Sequence, residues 1–253
     1  MYPLTLQHGN VHLYYTCLDK IRDRALIDQY HRILSPAESE TISKIRSEKK
    51  RLESLVTKAL ARYVLSRCCR IAPEAVRFCV NRHGKPALLP GVTPLPVRFN
   101  LSHCTGLVGC VVARDADVGL DMEDQHRCVN LNLVRRFFSE PEIMQLEKIR
   151  DAGAKQALFL QLWTLKEAYV KAVGKGLSLG LDHFSFVFDK GRPDIRFSSE
   201  RPAPPGIWHF FTATLLDRYT VAVGAGSMHR QRPDVHLYAC IPFDSIQSPG
   251  RIL

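Results

Sequence analysis

The sequence predicts an α+β protein built from two similar α/β lobes that meet near residue 116. Three observations lead there. Helical periodicity and strand alternation come in blocks, helices first and strands after, and the same order returns in the second half. The break between helices and strands carries Gly84-Lys85 in one half and Gly174-Lys175 in the other. The chain has 253 residues, 45% hydrophobic and 24% charged, enough for a substantial core and unlike a disordered or fibrous protein. The expected division is an N-terminal lobe over 1–116, a C-terminal lobe over 117–228 and an extension over 229–253 that has no strong pattern.

The elements follow in order. Val11 to Cys17 is apolar and aromatic and reads as a strand. Ser35-Pro36-Ala37-Glu38 is a capped helix start with proline at the first position. A long basic helix follows over 47–67, with Leu52, Leu55, Val56, Ala59, Leu60 and Tyr63 at core spacing and Arg51, Lys58 and Arg62 on a separate stripe. Phe78 to Val80 is a short strand, and Arg82-His83-Gly84-Lys85-Pro86 is a loop. Val97–Leu101 and Leu107–Ala113 read as strands joined by a turn at Ser102-His103-Cys104-Thr105-Gly106, and the acidic strand Val118–Asp124 comes next. From Leu131 the pattern is helical, one helix closing at Arg135-Arg136-Phe137-Phe138-Ser139 and another opening at Ser139-Glu140-Pro141-Glu142. Residues 155–173 form a helix that stops at Gly174-Lys175-Gly176. Phe184 to Asp189 alternates as a strand, 202–206 is a loop, and 209–216 with 219–225 is a hairpin turning at Asp217-Arg218.

Two of these segments carry chemistry. On a strand, Asp121 and Glu123 point to one side of the sheet. On the helix, Glu167 and Lys171 lie one turn apart on one face, with Trp163, Tyr169 and Val170 around the buried side. Three carboxylates with an ammonium beside them suit a hard cation such as Mg²⁺ (or Mn²⁺) and leave positions open for phosphate. Taken alone, the helix would be an ordinary one bearing a Glu/Lys pair.

The remaining composition narrows the partners. The formal charge is +10, and Lys44–Arg70 supplies nine basic residues against two acidic ones. The partner is therefore expected to be anionic: a phosphorylated small molecule, an acidic protein or a nucleic acid. No zinc finger, aromatic RNA-binding strand or helix-turn-helix motif accompanies the patch. The eight cysteines (17, 68, 69, 79, 104, 110, 128 and 240) include no Cys-x-x-Cys pair and read as small reduced side chains. Met1–Tyr15 lacks the charge and apolar pattern of a signal peptide, and the longest apolar runs are too short to span a bilayer, so a cytoplasmic location is expected. Gly176-Leu177-Ser178-Leu179-Gly180 matches a nucleophile elbow, but a helix precedes it and a strand follows, the reverse of what an elbow needs. The same glycines do not follow the phosphate-loop pattern, and His8 and His12 lack the glutamate of a zincin helix.

Gly119-Leu120-Asp121-Met122-Glu123 with Trp163-Thr164-Leu165-Lys166-Glu167-Ala168-Tyr169-Val170-Lys171 and Gly174-Lys175-Gly176-Leu177 resembles the paired signature of the 4'-phosphopantetheinyl transferases, in their large surfactin-synthetase-activating class. Gly84-Lys85-Pro86, Asn100-Leu101-Ser102-His103, Arg136-Phe137-Phe138-Ser139 and Leu177-Ser178-Leu179 fall in the same order, so the likeness covers about 81–190. It implies two lobes related by a pseudo-two-fold axis, sufficient as a monomer. It also implies transfer of the phosphopantetheine arm of coenzyme A to a serine of an apo acyl or peptidyl carrier protein, with release of adenosine 3',5'-bisphosphate. By this likeness Asp121, Glu123 and Glu167 hold Mg²⁺, and Glu167 binds metal, takes the serine proton directly or takes it through water. Lys171 would offset charge on phosphate or leaving group. Coenzyme A is expected at Lys49, Lys58, Arg62, Arg82, Lys85, Pro86, Ser102, His103 and Lys171. Carrier proteins of this kind are acidic, and Arg135 and Arg136 are expected to border their docking surface; no nucleic acid or membrane partner is expected. The competing readings are a nucleic-acid-binding module built on Lys44–Arg70 and a magnesium-dependent phosphohydrolase.

Overall fold

In a computed structural model, residues 6–129, 134–198, 206–227 and 231–252 are described, without the side chains of 135, 177 and 249. The expected loop over 202–205, the helix start at Leu131 and the Arg135 side chain lie outside the described residues.

Two 22-residue helices dominate, α3 (Glu48–Cys69) and α6 (Ala152–Val173), each packed on its own sheet. The first sheet has five strands: β1 (Asn10–Cys17), β4 (Val97–Cys104), β5 (Leu107–Arg114), β11 (Asp234–Ile241) and β12 (Ser245–Ile252), in the order β12-β11-β1-β5-β4. The second runs β6-β10-β9, from β6 (Asp117–Asp124), β9 (Ile207–Leu215) and β10 (Tyr219–Ser227). Period-two alternation lets each sheet serve two cores. In β1, Tyr14 packs with Val56, Leu60 and Val64 of α3, whereas Val11, Leu13 and Tyr15 turn to Leu120, Met122, Val221 and Val223 of the second sheet. The opposite face of that second sheet, with Phe210 and Ala222, meets Leu165, Ala168 and Tyr169 of α6. The layers therefore run α3, sheet, sheet, α6.

The two halves repeat one plan. In each, the first strand pairs antiparallel with the last and the last with the middle one: β1-β5-β4 and β6-β10-β9. Each long helix is preceded by a short capped one, α2 (Pro36–Ser43) or α5 (Glu140–Lys148), and followed by a small hairpin, β2–β3 (Phe78–Val80, Pro86–Leu88) or β7–β8 (Phe184–Asp189, Arg192–Phe197). Equivalent residues keep one constant spacing. Ser35 and Ser139 cap the short helices, each in a reciprocal box with Glu38 or Glu142. Arg70 (φ 57°) and Gly174 (φ 70°) end the long helices in the left-handed region. This register matches Arg70, not Gly84, to Gly174, so the Gly-Lys echo of the sequence is not the true internal repeat.

The repeat extends to a buried ion pair in each half. Arg62 of α3 bonds Glu38 through Nε at 2.9 Å and Nη2 at 2.6 Å, and its Nη1 reaches the carbonyls of Pro73 and Val76. Lys166 of α6 lies 2.8 Å from Glu142 and donates to the carbonyls of Leu181 and Phe184, each at 2.6 Å. Glu142 also accepts from the Ser139 amide and hydroxyl and from the Phe186 amide. A buried charge is tolerable only with partners of this quality. These pairs tie each capped short helix to its long helix and to the turn beyond.

The sequence reading missed four pieces. Helix α1 (Arg24–Arg32), capped by Asp23, is absent from it, as are β8 and β3, where Pro86 opens a strand instead of closing the loop. The patternless tail forms β11 and β12, with β11 parallel to β1 and in register from Asn10/Asp234 to Tyr15/Ala239. All eight cysteines are free; Cys68, Cys69, Cys110 and Cys240 are buried, and Cys128 is exposed. Among the described residues no helix is long and apolar enough to cross a membrane.

Candidate active site

The site forms where α6 crosses the seam between β6 and β4. The seam is closed by a side chain: Asn100 Oδ1 of β4 accepts the Leu120 amide of β6 at 2.9 Å. Helix α6 can approach β6 only because residue 119 is glycine. A Cβ there would stand 1.9 Å from the Ala168 carbonyl oxygen and 2.4 Å from the Ala172 nitrogen. The glycine of the Gly-x-Asp-x-Glu segment is thus a packing requirement that brings the acidic strand against the Glu167/Lys171 face.

Contact follows directly. Lys171 Nζ lies 2.6 Å from Asp121 Oδ1 and 3.2 Å from Ser102 Oγ, and the Ser102 hydroxyl is 3.3 Å from the same carboxylate oxygen. Burial pushes the Asp121 carboxyl up to about 6, against the pull of Lys171, with Glu123 and Glu167 raising it further. Burial also raises Glu167, opposed by Lys171 and reinforced by Glu123. The three carboxylates therefore act on one another across the gap between strand and helix. Glu123 is held by Arg127, and Asp121 Oδ2 is buried with no hydrogen-bond partner.

Among the described residues no three His, Cys, Asp or Glu side chains stand as a ready-made metal cluster. The side chains present nonetheless fit a hard cation: the donors that Asp121, Glu123 and Glu167 offer are carboxylate oxygens, and Asp121 Oδ2 has no hydrogen-bond partner.

A cleft of about 290 Å³ opens beside this cluster, lined by His83, Gly84, Lys85, Pro86, Asn100, Leu101, Glu167, Val170, Lys171, Gly174 and Gly176. Its far wall is the β2–β3 turn. Asn81, unnoticed in the sequence, shapes that turn by accepting the His83 and Lys85 amides, and its Nδ2 donates to the Gly174 carbonyl at 2.8 Å. Lys85 lies across the end of α6, donating to the carbonyls of Ala172 at 2.7 Å and Val118 at 3.3 Å. Burial lowers its ammonium to about 8. A Cβ on Gly174 would come 2.7 Å from Lys85 Cδ, so this glycine serves both the helix stop and the lysine's path.

Of the residues singled out by the sequence, Lys85, Pro86, Glu167 and Lys171 line the cleft, and Ser102 and Asp121 join Lys171. Ser102 and His103 are not in a turn: β4 runs on to Cys104 and the chain reverses at Thr105-Gly106. Alternation then sends them apart, Ser102 to Asp121 and His103 to Glu53 of α3, with His103 Nε2 3.5 Å from Glu53 Oε1. Arg62 is corrected outright: it is 2% exposed and bound to Glu38, so it makes no ligand contact. It belongs to an enclosed patch of α3 with Ala61, Leu65 and Ser66, whereas Arg51 of the expected stripe is exposed. Arg82 is exposed against His83; Lys49 is exposed and Lys58 half-buried on α3. Arg136, on α4 (Val134–Phe137), is exposed and stacks over Phe137. Lys50, one position from the expected Lys49, donates to Glu53 at 2.8 Å, the carboxylate that also faces His103. The i, i+3 spacing of Lys50 and Glu53 was the available signal. Trp163 stacks on Phe159 in the core, and Ser178 donates to the Lys175 carbonyl in a helical turn, not at an elbow.

This geometry agrees with what the chain is similar to. Residues 117–224 match the family described as the 4'-phosphopantetheinyl transferase superfamily, and residues 23–115 match the description 4'-phosphopantetheinyl transferase, N-terminal. The Synechocystis relative slr0495 is 32% identical over 63% of this chain and 65% of its own length. The 4'-phosphopantetheinyl transferase Sfp of Bacillus subtilis is 31% identical, over 62% and 68%. HetI of Nostoc, described as a 4'-phosphopantetheinyl transferase, is 30% identical, over 69% and 73%. The matches thus span about two thirds of these relatives. With both halves matched and the acidic strand, signature helix and cleft in one place, the chain belongs to the 4'-phosphopantetheinyl transferase family.

Proposed function

We propose that the protein moves the 4'-phosphopantetheine arm of coenzyme A to a serine of an apo acyl or peptidyl carrier protein, giving holo carrier and adenosine 3',5'-bisphosphate. The observation that carries this is the Lys171–Asp121–Ser102 cluster with Glu167 beside it, opening on a cleft at the seam. In the transfer the serine Oγ forms a bond to the pantetheine-side phosphorus, and the bond from that phosphorus to the adenosine-bisphosphate oxygen breaks. Glu167, half-buried and raised by burial, accepts the serine proton directly or through water. Lys171 sets a positive charge at the cleft wall, where it offsets charge on the phosphates. Asp121, Glu123 and Glu167 are the residues that would hold Mg²⁺, or Mn²⁺ in its place, which when bound neutralises pyrophosphate charge. Lys85 and Pro86, which line the cleft, would contact coenzyme A, and Lys49, Lys58 and Arg82 are the further cations we assign to it.

The test is an intact-mass measurement of an apo carrier incubated with the protein, coenzyme A and magnesium. A gain of one phosphopantetheine is expected, stopped by a chelator and slowed about 100-fold or more by Glu167→Gln. Phosphate release without carrier modification would instead indicate a hydrolase, and nucleic-acid binding with neither activity a binding module.

We further infer an acidic carrier as partner, a monomer of two lobes and a cytoplasmic location. The net charge of +10 supports long-range attraction of an acidic surface. Reversing Arg135 and Arg136 together to glutamate is expected to raise the carrier KM several-fold and flatten its dependence on salt, measured from 50 to 300 mM NaCl. An unchanged KM and salt slope removes these two arginines from the docking surface.

A further inference from the structure

Glu53 lies outside the metal set and the cleft lining, yet it is the acidic residue through which α3 touches the site. Its side chain is 4% exposed. Oε1 accepts from Lys50 Nζ at 2.8 Å and lies 3.5 Å from His103 Nε2, while Oε2 is buried without a hydrogen-bond partner. A carboxylate so enclosed is costly unless its partners are fixed. Here both partners are basic side chains, one on the first turn of α3 and one on β4. The third charge acting on His103 is Lys171 of α6. Glu53 thus ties the first turn of α3 to β4, the strand that also carries Ser102 of the Lys171–Asp121 cluster.

We propose that Glu53 is a positioning residue: it clamps Lys50 and His103 so that the ammonium and the imidazole stand ready for the phosphates of coenzyme A. This rests on the transferase reading above. The physical gain is preorganisation. Lys50 is 61% exposed on a four-carbon stem, and an unclamped lysine loses rotamer freedom each time it meets a ligand. The imidazole has two ring nitrogens, and a carboxylate on one of them fixes both ring orientation and tautomer. Burial, Lys50 and Lys171 all favour the neutral ring, and Glu53 is the group that opposes them. The net direction for His103 is downward, with burial the largest cause, so Glu53 limits the loss of the imidazolium without abolishing it.

Three variants test this, with coenzyme A as the varied substrate and the carrier saturating. Glu53→Gln keeps the shape, Glu53→Ala removes the clamp, and Lys50→Met removes one clamped group at an exposed position where folding is not at risk. The KM for coenzyme A is expected to rise about tenfold in Glu53→Ala and several-fold in the other two, with kcat held within about twofold. In the NMR titration of His103, the midpoint is expected to move to lower pH in Glu53→Gln, because a neutral amide no longer favours the imidazolium. A thermal melt of each variant shows whether it is folded; if Glu53→Ala is not, the other two decide. A KM for coenzyme A that is unchanged or lower in folded Glu53→Gln and Lys50→Met, or a His103 midpoint that stays put, overturns the proposal. Failure of the unmodified protein to load a carrier overturns the transferase reading instead.

Discussion

Lys166→Met is expected to destabilise the protein by roughly 3–5 kcal/mol, because it strands the Glu142 carboxylate in the core without its cation. For a chain of this size that lowers the melting midpoint by roughly 10 °C. Lys166 adjoins Glu167 in the signature, where a lysine next to the glutamate proposed to take the serine proton invites a catalytic reading. The structure points elsewhere: the side chain is fully buried, it donates to the carbonyls of Leu181 and Phe184, and its ammonium sits 4.4 Å from the centre of the Phe184 ring. Activity per folded molecule, measured well below the melting range, should therefore stay within a few-fold of the parent. Adding Glu142→Gln to Lys166→Met should restore part of the lost stability, since the uncompensated charge is gone. Calorimetry on the two single variants and the double variant measures that coupling. A catalytic Lys166 would show the opposite pattern, a fall in kcat with little change in melting.

Gly119→Ala should damage stability and site together. The added methyl would overlap backbone atoms of α6, the Ala168 carbonyl and the Ala172 nitrogen, and backbone cannot rotate aside. Overpacking of this kind costs roughly 1–3 kcal/mol and sometimes more. Relief requires α6 to lift from β6, which would part Lys171 from Asp121. Carrier loading should fall at least tenfold, a larger loss than the stability change alone explains at low temperature. Gly109→Ala is the control. Its Cβ would meet only the side-chain ends of Leu120 and Met122 at 2.9 Å, and these can move. If the two variants behave alike, close backbone contact is not what residue 119 supplies.

How much of this was legible in the sequence depended on the range of the interaction. Glu167 and Lys171 were readable because helical spacing is local, and Asp121 with Glu123 because strand alternation is local too. The N-cap box at Ser35 was equally plain. Arg62 was misread because periodicity shows one apolar stripe and does not reveal that a short capped helix brings Glu38 across the second face. The strand β4 was ended too early since Ser102 and His103 are polar and look like turn residues; their polarity serves Asp121 on one side and Glu53 on the other. The tail was illegible for a different reason. Strand β11 is placed by a partner at the other end of the sequence, with β12 folded back on it, and no local pattern records the pairing with β1.

That last pairing has a consequence for how the protein is made. Thr16 of β1 donates to the Cys240 carbonyl, 224 residues away, and Tyr14 stacks on Tyr238 with ring centres 4.8 Å apart. During synthesis β1 can pair with β5 as soon as the first half has emerged, but its other edge stays open until β11, which follows the second lobe, has been made. The first lobe is therefore begun first and finished last, after the second lobe has been fully synthesised. Contacts of such separation form slowly, and an open strand edge is a site for mispairing. The β11–β12 hairpin acts as a latch on the first lobe that can close only after the second lobe has been made.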